Sequence, residues 1–132
     1  VRYFSNSIKK RCTAFILSDF MDETLFAKAG EDALKIANKK HDVIALRIHD
    51  HREAELPNAG ILKVRDAETG EILWVDTSSK NSRAVYQQWN RLTQNKLKDL
   101  FLRCGIDNAK IRTDESYIKP LMNLFKMREK RV

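Results

Sequence analysis

Apolar, β-favouring runs alternate with amphipathic segments along this chain, and that order limits which folds it can adopt. The run 13–18 is apolar throughout its middle, which is typical of a strand covered on both faces. An amphipathic segment over 23–40 follows it, and a second buried strand over 43–48 comes next. A strand, a helix and a strand in this order predict one βαβ unit with parallel strands and a right-handed crossover.

The amphipathic segment carries the signals of a single helix. Asp22 is placed as the N-cap, and lysines fill the last turns, where the helix dipole favours cations. The residues predicted to line its inner face are Phe26, Ala29, Ala33, Ile36 and Ala37.

The second half of the chain predicts a hairpin and two more helices around one more strand. The runs 61–65 and 72–76 flank Gly70 as a β-hairpin. A long helix is predicted over 82–103, capped by Gly105, and a short strand over 109–113 precedes a helix over 116–126 with Pro120 in its first turn. The apolar residues predicted to face the core from these helices are Val85, Trp89, Leu92, Leu97, Leu100, Phe101, Cys104, Ile118, Leu121, Met122 and Phe125. Trp74, on the hairpin, is likewise assigned to core packing.

The predicted fold class is therefore α/β, with three layers, a mostly parallel sheet and an appended β-hairpin. Three strands are few for such a sheet, and an edge position for 13–18 leaves backbone donors and acceptors unpaired. Because the chain also opens on Val1 rather than methionine, we expect 1–132 to be a single partial domain, cut from a longer protein. Without its missing half, the strand 13–18 is expected to pair with a second copy of itself or to be covered in another way, so that the chain forms a homo-oligomer.

Charge and cysteine content narrow the function classes. The net charge is +7, but it is concentrated as +4 in 1–11 and +4 in 119–132, with −1 between them. Nucleic-acid binding is therefore disfavoured, and both basic ends, 1–11 and 127–132, are expected to fray. No apolar run approaches the length of a membrane span. Cys12 and Cys104 lack metal-site spacing and indicate reduced core thiols in the cytoplasm.

Asp19 is the first candidate for chemistry. It follows the strand 13–18 at the carboxyl end of a parallel sheet, which is where open α/β sheets bind ligands. A carboxylate there can hold a divalent cation, but such an ion takes about six oxygen ligands. Service of Asp19 or Asp22 at the start of the next helix is the favoured alternative.

His49, Asp50 and His51 form the densest cluster of metal-ligand types. Catalytic zinc would need a third ligand and a general base there, so a solvated loop is the simpler interpretation. Motifs for a serine nucleophile, a cysteine with a histidine partner or a phosphate-binding loop are not found in the sequence. The residues thus give no positive argument for an enzyme.

A string of motifs in one order resembles the bacterial family called domain of unknown function 58. The matching segments are 17–20, 41–47, 50–57, 65–71, 75–77 and 113–115. Members of that family resemble von Willebrand factor type A domains, and many are encoded beside MoxR-type AAA ATPases. The resemblance implies that this chain supplies the second half of a six-stranded, Rossmann-like sheet.

The same resemblance bears on Asp19. The missing first half would carry the Asp-x-Ser-x-Ser loop of a metal-ion-dependent adhesion site, with Mg²⁺ as the candidate ion in the longer protein. Asp19 is similar to a later aspartate of that site, although Phe20 stands where adhesion domains usually have glycine. Asp19 is thus an orphan member of an incomplete site, and no cofactor is predicted for this chain itself.

The predicted function is a non-enzymatic protein-interaction module in the cytoplasm, with a MoxR-type AAA ATPase as its candidate partner. The alternative is a metal-dependent hydrolase that uses the cluster of His49, Asp50 and His51. Zinc or manganese bound in stoichiometric amount would distinguish the second from the first.

Overall fold

The computed structural model describes residues 1–66 and 69–131. Its helices are α1 (Arg2–Ser7), α2 (Lys28–Lys40), α3 (His51–Ala54), α4 (Lys80–Cys104) and α5 (Ile118–Glu129). Its strands are β1 (Thr13–Ser18), β2 (Asp42–His49), β3 (Ile61–Arg65), β4 (Ile72–Asp76) and β5 (Asp107–Arg112). The described residues form two compact units, one made of 1–50 and the described residues from 95 onward, the other of 51–94.

The first unit holds a parallel sheet in the order β1-β2-β5. Thr13 aligns with Asp42 at the start of β1 and β2, and Ile44 aligns with Asp107 where β5 joins. The second unit holds the antiparallel hairpin β3-β4. The predicted α/β class, with a parallel sheet and a hairpin, is confirmed, while the single partial domain stays a prediction.

Helices cover both faces of the parallel sheet because β2 is apolar on both. Val43 and Ala45 pack in one cluster with α2 and the last turns of α4. Ile44 and Leu46 point to the opposite face and pack with Leu124 of α5. This alternation places β2 at the centre of a three-layer arrangement.

The predicted helix over 23–40 is two helices in the structure. A 3₁₀ helix, Glu23–Phe26, comes first, and α2 begins at Lys28. Asp22 caps the 3₁₀ helix as predicted, since its Oδ1 accepts from the Thr24 N–H at 2.9 Å. The predicted inner face is wrong at Ala29 and Ile36, which are exposed; the residues that α2 buries are Ala33, Leu34 and Ala37.

The end of α4 confirms the prediction for Gly105. Its φ is +66°, its N–H donates to the Leu102 carbonyl, and the Ile106 N–H donates to the Phe101 carbonyl at 2.9 Å. These two bonds define a Schellman cap, and the apolar contact between Ile106 and Phe101 lies within the core.

The structure contradicts the core prediction for the first half of α4 and for the hairpin. Trp74 is 68% exposed and Trp89 is 49% exposed, and Val85 and Leu92 are exposed too. Each tryptophan contacts a neighbour from its own unit: the Trp74 ring lies 5.8 Å from Lys63 Nζ, and Trp89 packs against Tyr86. Apolar periodicity identifies residues that share a face, but not whether another element covers that face.

The prediction for α5 is also wrong in part. Leu124 is the buried residue and Leu121 is half-buried, whereas the exposed ones are Ile118, Met122 and Phe125. The helix continues past Phe125 to Glu129, and Arg128 pairs with Asp42 and Asp107 at the amino ends of β2 and β5. This ion-pair network holds the end of α5 against the sheet.

Candidate functional site

The outer edge of β1 is the first candidate surface. Within the described residues, β1 pairs with β2 alone. The Asp42 N–H donates to the Cys12 carbonyl at 2.9 Å, so Cys12 turns its carbonyl toward β2. Because backbone groups alternate along a strand, the N–H and C=O of Thr13, Phe15 and Leu17 point away from β2. They form a row of free pairing groups.

The side chains of the same residues form an apolar patch. Phe15 is 45% exposed and Leu17 is 63% exposed, and the Phe15 ring lies 6.4 Å from the ring of Phe125 on α5. β1 also carries no charged side chain, although charges are a common means by which edge strands avoid other strands. This edge therefore has the composition of an interior strand.

A groove runs along this edge. A cavity of about 580 Å³ is lined by residues 12–17 and by Val1, Phe4 and Ile8, which belong to or flank α1. We call this cavity the β1 groove. Its lining is almost entirely apolar, which suits an extended chain that pairs its backbone with β1 and buries its side chains against α1.

Asp19 lies in a tight turn directly after β1. Its Oδ1 accepts from the Met21 N–H at 3.2 Å, and the hydroxyl of Ser18 accepts from the Phe20 N–H at 3.0 Å. Phe20 adopts φ +57°, a conformation that favours glycine, while its side chain is buried. One carboxylate oxygen of Asp19 thus stabilises the turn, and the side chain stays exposed.

Asp22 lies three residues further on, where its hydrogen bonds from the Thr24 hydroxyl and N–H lower the pKa of its carboxyl group. This is the capping role that the sequence favoured. It leaves Asp22 bound to its own turn.

The predicted cluster of His49, Asp50 and His51 is divided by the secondary structure. His49 ends β2 and is buried, whereas His51 begins α3 in the other compact unit and is exposed. Asp50 lies between them and accepts from the Thr113 hydroxyl at 3.3 Å. In a continuous strand, His49 and His51 would point to the same face. β2 ends at His49, so this alternation does not extend to His51.

In 1–66 and 69–131, no group of three or more His, Cys, Asp or Glu side chains is arranged to hold a metal ion. The assignment of Asp19 to an incomplete metal site stays a prediction. The hydrolase alternative gains no supporting observation from the cluster.

A contact that sequence patterns did not predict lies at the amino ends of β1 and β2. Cys12 Sγ and His41 Nδ1 are 3.4 Å apart, although no sequence motif pairs a cysteine with a histidine. The two residues are 29 positions apart and directly precede β1 and β2, whose register aligns Thr13 with Asp42. The contact depends on that register, which places the residues before the two strands side by side and which a single sequence does not fix.

Comparison with known proteins decides the family. The sequence model of the family described as protein of unknown function DUF58 matches residues 1–96. The chain belongs to the DUF58 family. The match includes β1, α2, β2 and the hairpin, so it covers all the motifs of the predicted resemblance except 113–115.

The chain is also similar to one uncharacterised bacterial protein. An uncharacterised protein of Mycobacterium avium, MAV169, is 26% identical over 124 residues, which cover 92% of this DUF58 chain and 69% of the relative. No solved structure shows a significant match. Among the helices of the described residues, none combines the length and the apolar character needed to cross a membrane.

Proposed function

We propose that this DUF58 chain is a non-enzymatic protein-interaction module that binds a strand at the outer edge of β1. The proposal rests on a mismatch between the composition of β1 and its position in the sheet. β1 has the uncharged, apolar sequence of an interior strand, yet it lies at an edge with Phe15 and Leu17 exposed. Strand addition would pair the free backbone groups and cover both side chains.

A second copy of the same chain is the proposed occupant. In an antiparallel pair with a two-fold axis at Phe15, Thr13 faces Leu17 and Arg11 faces Asp19. Thr13, Phe15 and Leu17 carry the outward-pointing backbone groups, so this register makes proper hydrogen-bonded pairs within β1, and Arg11 and Asp19 flank the strand. It also places opposite charges directly across from one another, which stabilises such pairs.

The resemblance to von Willebrand factor type A domains implies another source for the same strand. The preceding half of that domain would then lie on β1, and Asp19 would join its Mg²⁺ site. The same resemblance supports a MoxR-type AAA ATPase as the protein partner. The spacing of Cys12 and Cys104, typical of reduced thiols, supports the cytoplasm as the compartment.

Charge reversal tests the proposed register. We expect the purified chain to dimerise at micromolar concentration. Arg11→Glu or Asp19→Arg should each raise the dimer dissociation constant by about twofold to thirtyfold, because the two-fold axis makes each change disturb two cross-strand charge pairs of about 0.2–1 kcal/mol. The double reversal should restore the dissociation constant, because the opposite charges face each other again. Lys10→Glu is the matched control, since Lys10 lies outside the proposed pairing.

Sedimentation equilibrium measures all four proteins and the wild type. A double variant whose loss is the sum of the two single losses would contradict the register. A wild-type chain that stays monomeric and folded would contradict the second copy as occupant.

A further inference from the structure

The Cys12–His41 pair has the geometry of a thiol with its own proton acceptor. The Sγ to Nδ1 distance of 3.4 Å is within reach of a sulfur hydrogen bond. The thiol donates to Nδ1 when that nitrogen carries no proton, and the ring donates to sulfur when it does. A cysteine paired in this way has the arrangement used to activate sulfur nucleophiles.

The surroundings of His41 indicate more than core packing. The ring is 99% buried, and its Nε2 has no hydrogen-bond partner among the described residues. The hydroxyl of Ser5, buried on α1, also lacks a partner among the described residues, and the ring of Phe4 is tilted at 52° to the imidazole with ring centroids 4.7 Å apart. Buried polar groups are nearly always satisfied, so the unpartnered Nε2 indicates a polar role for His41.

Cys12 itself is accessible from the β1 groove. It is half-buried and lines that cavity of about 580 Å³. The segment before it, Lys9, Lys10 and Arg11, is exposed and cationic, and Lys40 at the end of α2 donates to the Ser5 carbonyl. Asp42, the nearest acid after His41, is bound by Arg128. The net local charge is therefore positive, which favours an anionic reagent.

We propose that Cys12 is a modification site for an anionic, low-molecular-weight disulfide, with His41 as the residue that positions and accepts the thiol proton. Cys12 gives its proton to His41 Nδ1, and the thiolate attacks one sulfur of the reagent. The S–S bond of the reagent breaks as the new one forms, and the released thiolate takes the proton from His41. One disulfide is consumed and one mixed disulfide and one thiol are formed, so no separate oxidant is needed.

Cys104 provides an internal control for this proposal. It is buried, its Sγ contacts the Glu31 carbonyl at 3.8 Å, and burial raises the pKa of its thiol. With glutathione disulfide as the probe, mass spectrometry of the intact protein and its peptides gives the rate at each cysteine. We expect the mixed disulfide at Cys12 to form at least about tenfold faster than at Cys104, a lower bound set beneath the roughly 10²–10⁴-fold that a positioned base contributes.

His41→Phe removes the proton acceptor and keeps a ring against Phe4. We expect it to slow the reaction of Cys12 about tenfold, while circular dichroism reports an unchanged fold; His41→Gln serves if the phenylalanine variant does not fold. Infrared spectroscopy in a Cys104→Ser background gives a second readout. In the Cys104→Ser protein, the S–H stretching frequency of Cys12 should be lowered or its band lost. When His41 is also replaced, the band should return to the frequency of free cysteine.

Equal rates at Cys12 and Cys104 would overturn the proposal. So would an unchanged rate at Cys12 in the folded His41 variant, or an S–H band at the frequency of free cysteine in the Cys104→Ser protein. The rates are measured well below the dimer dissociation constant, because a strand bound in the β1 groove would cover Cys12.

Discussion

Phe20 packs edge to face on Phe101, with ring centroids 5.1 Å apart, although the backbone of Phe20 is in the left-handed region. The turn after β1 therefore combines an unfavourable φ with a buried side chain. For a residue with a Cβ atom the left-handed conformation costs about 1–2 kcal/mol, and burial of an aromatic side chain offsets more than that. This contact holds Asp19 in its turn at the carboxyl end of β1.

Two substitutions at Phe20 separate these effects. Phe20→Ala should lower the free energy of unfolding by about 3–5 kcal/mol, because it removes the contact with Phe101 and keeps the strained backbone. Phe20→Gly should be less destabilising than Phe20→Ala by about 1 kcal/mol, because glycine adopts positive φ readily. Urea unfolding measures both. If the alanine variant were as stable as the glycine variant, the proposed backbone strain at position 20 would be contradicted.

Gly30 should tolerate no side chain. A Cβ atom there would lie 2.5 Å from the Leu25 carbonyl oxygen and 2.6 Å from that of Thr24, both backbone atoms at the join of the 3₁₀ helix and α2. We expect Gly30→Ala to destabilise the protein by about 1–3 kcal/mol, as overpacking does. Asp32→Ala, on an exposed position of the same helix, is the control and should change stability by less than about 0.5 kcal/mol. A stabilised Gly30→Ala protein would show that the two helices separate easily.

The ion pairs of Glu31 predict how stability depends on pH. Hydrogen bonds from Lys35 and Arg103 lower the pKa of the Glu31 carboxyl below its ordinary value of 4.5. A carboxyl whose pKa is lower in the folded state stabilises the protein above its unfolded pKa, and that contribution disappears as pH falls through the folded pKa. The wild type should therefore lose more thermal stability between pH 7 and pH 3 than Glu31→Gln does. Equal losses in the two proteins would contradict the folded-state pairing.

Sequence patterns predicted the parallel sheet because β1 and β2 are continuous apolar runs separated by a helix. The hairpin and the Gly105 cap were likewise predictable from local signals. The core residues were less predictable. Periodicity in α5 assigned Ile118, Met122 and Phe125 to the core, whereas Leu124 is the buried residue of that helix. The Cys12–His41 contact depends on strand register, which a single sequence does not reveal.

The sedimentation velocity of Leu17→Pro tests the central claim, that β1 binds a strand at its outer edge. Leu17 turns its N–H away from β2, so proline there removes a donor for an added strand and leaves the β1-β2 pairing intact. Leu17→Ala is the control, because it shortens the exposed side chain and keeps the N–H. We predict a wild-type dimer at micromolar concentration, a weaker dimer for Leu17→Ala and a folded monomer for Leu17→Pro. A folded wild-type monomer, or a Leu17→Pro protein that dimerises as well as Leu17→Ala, would contradict the account.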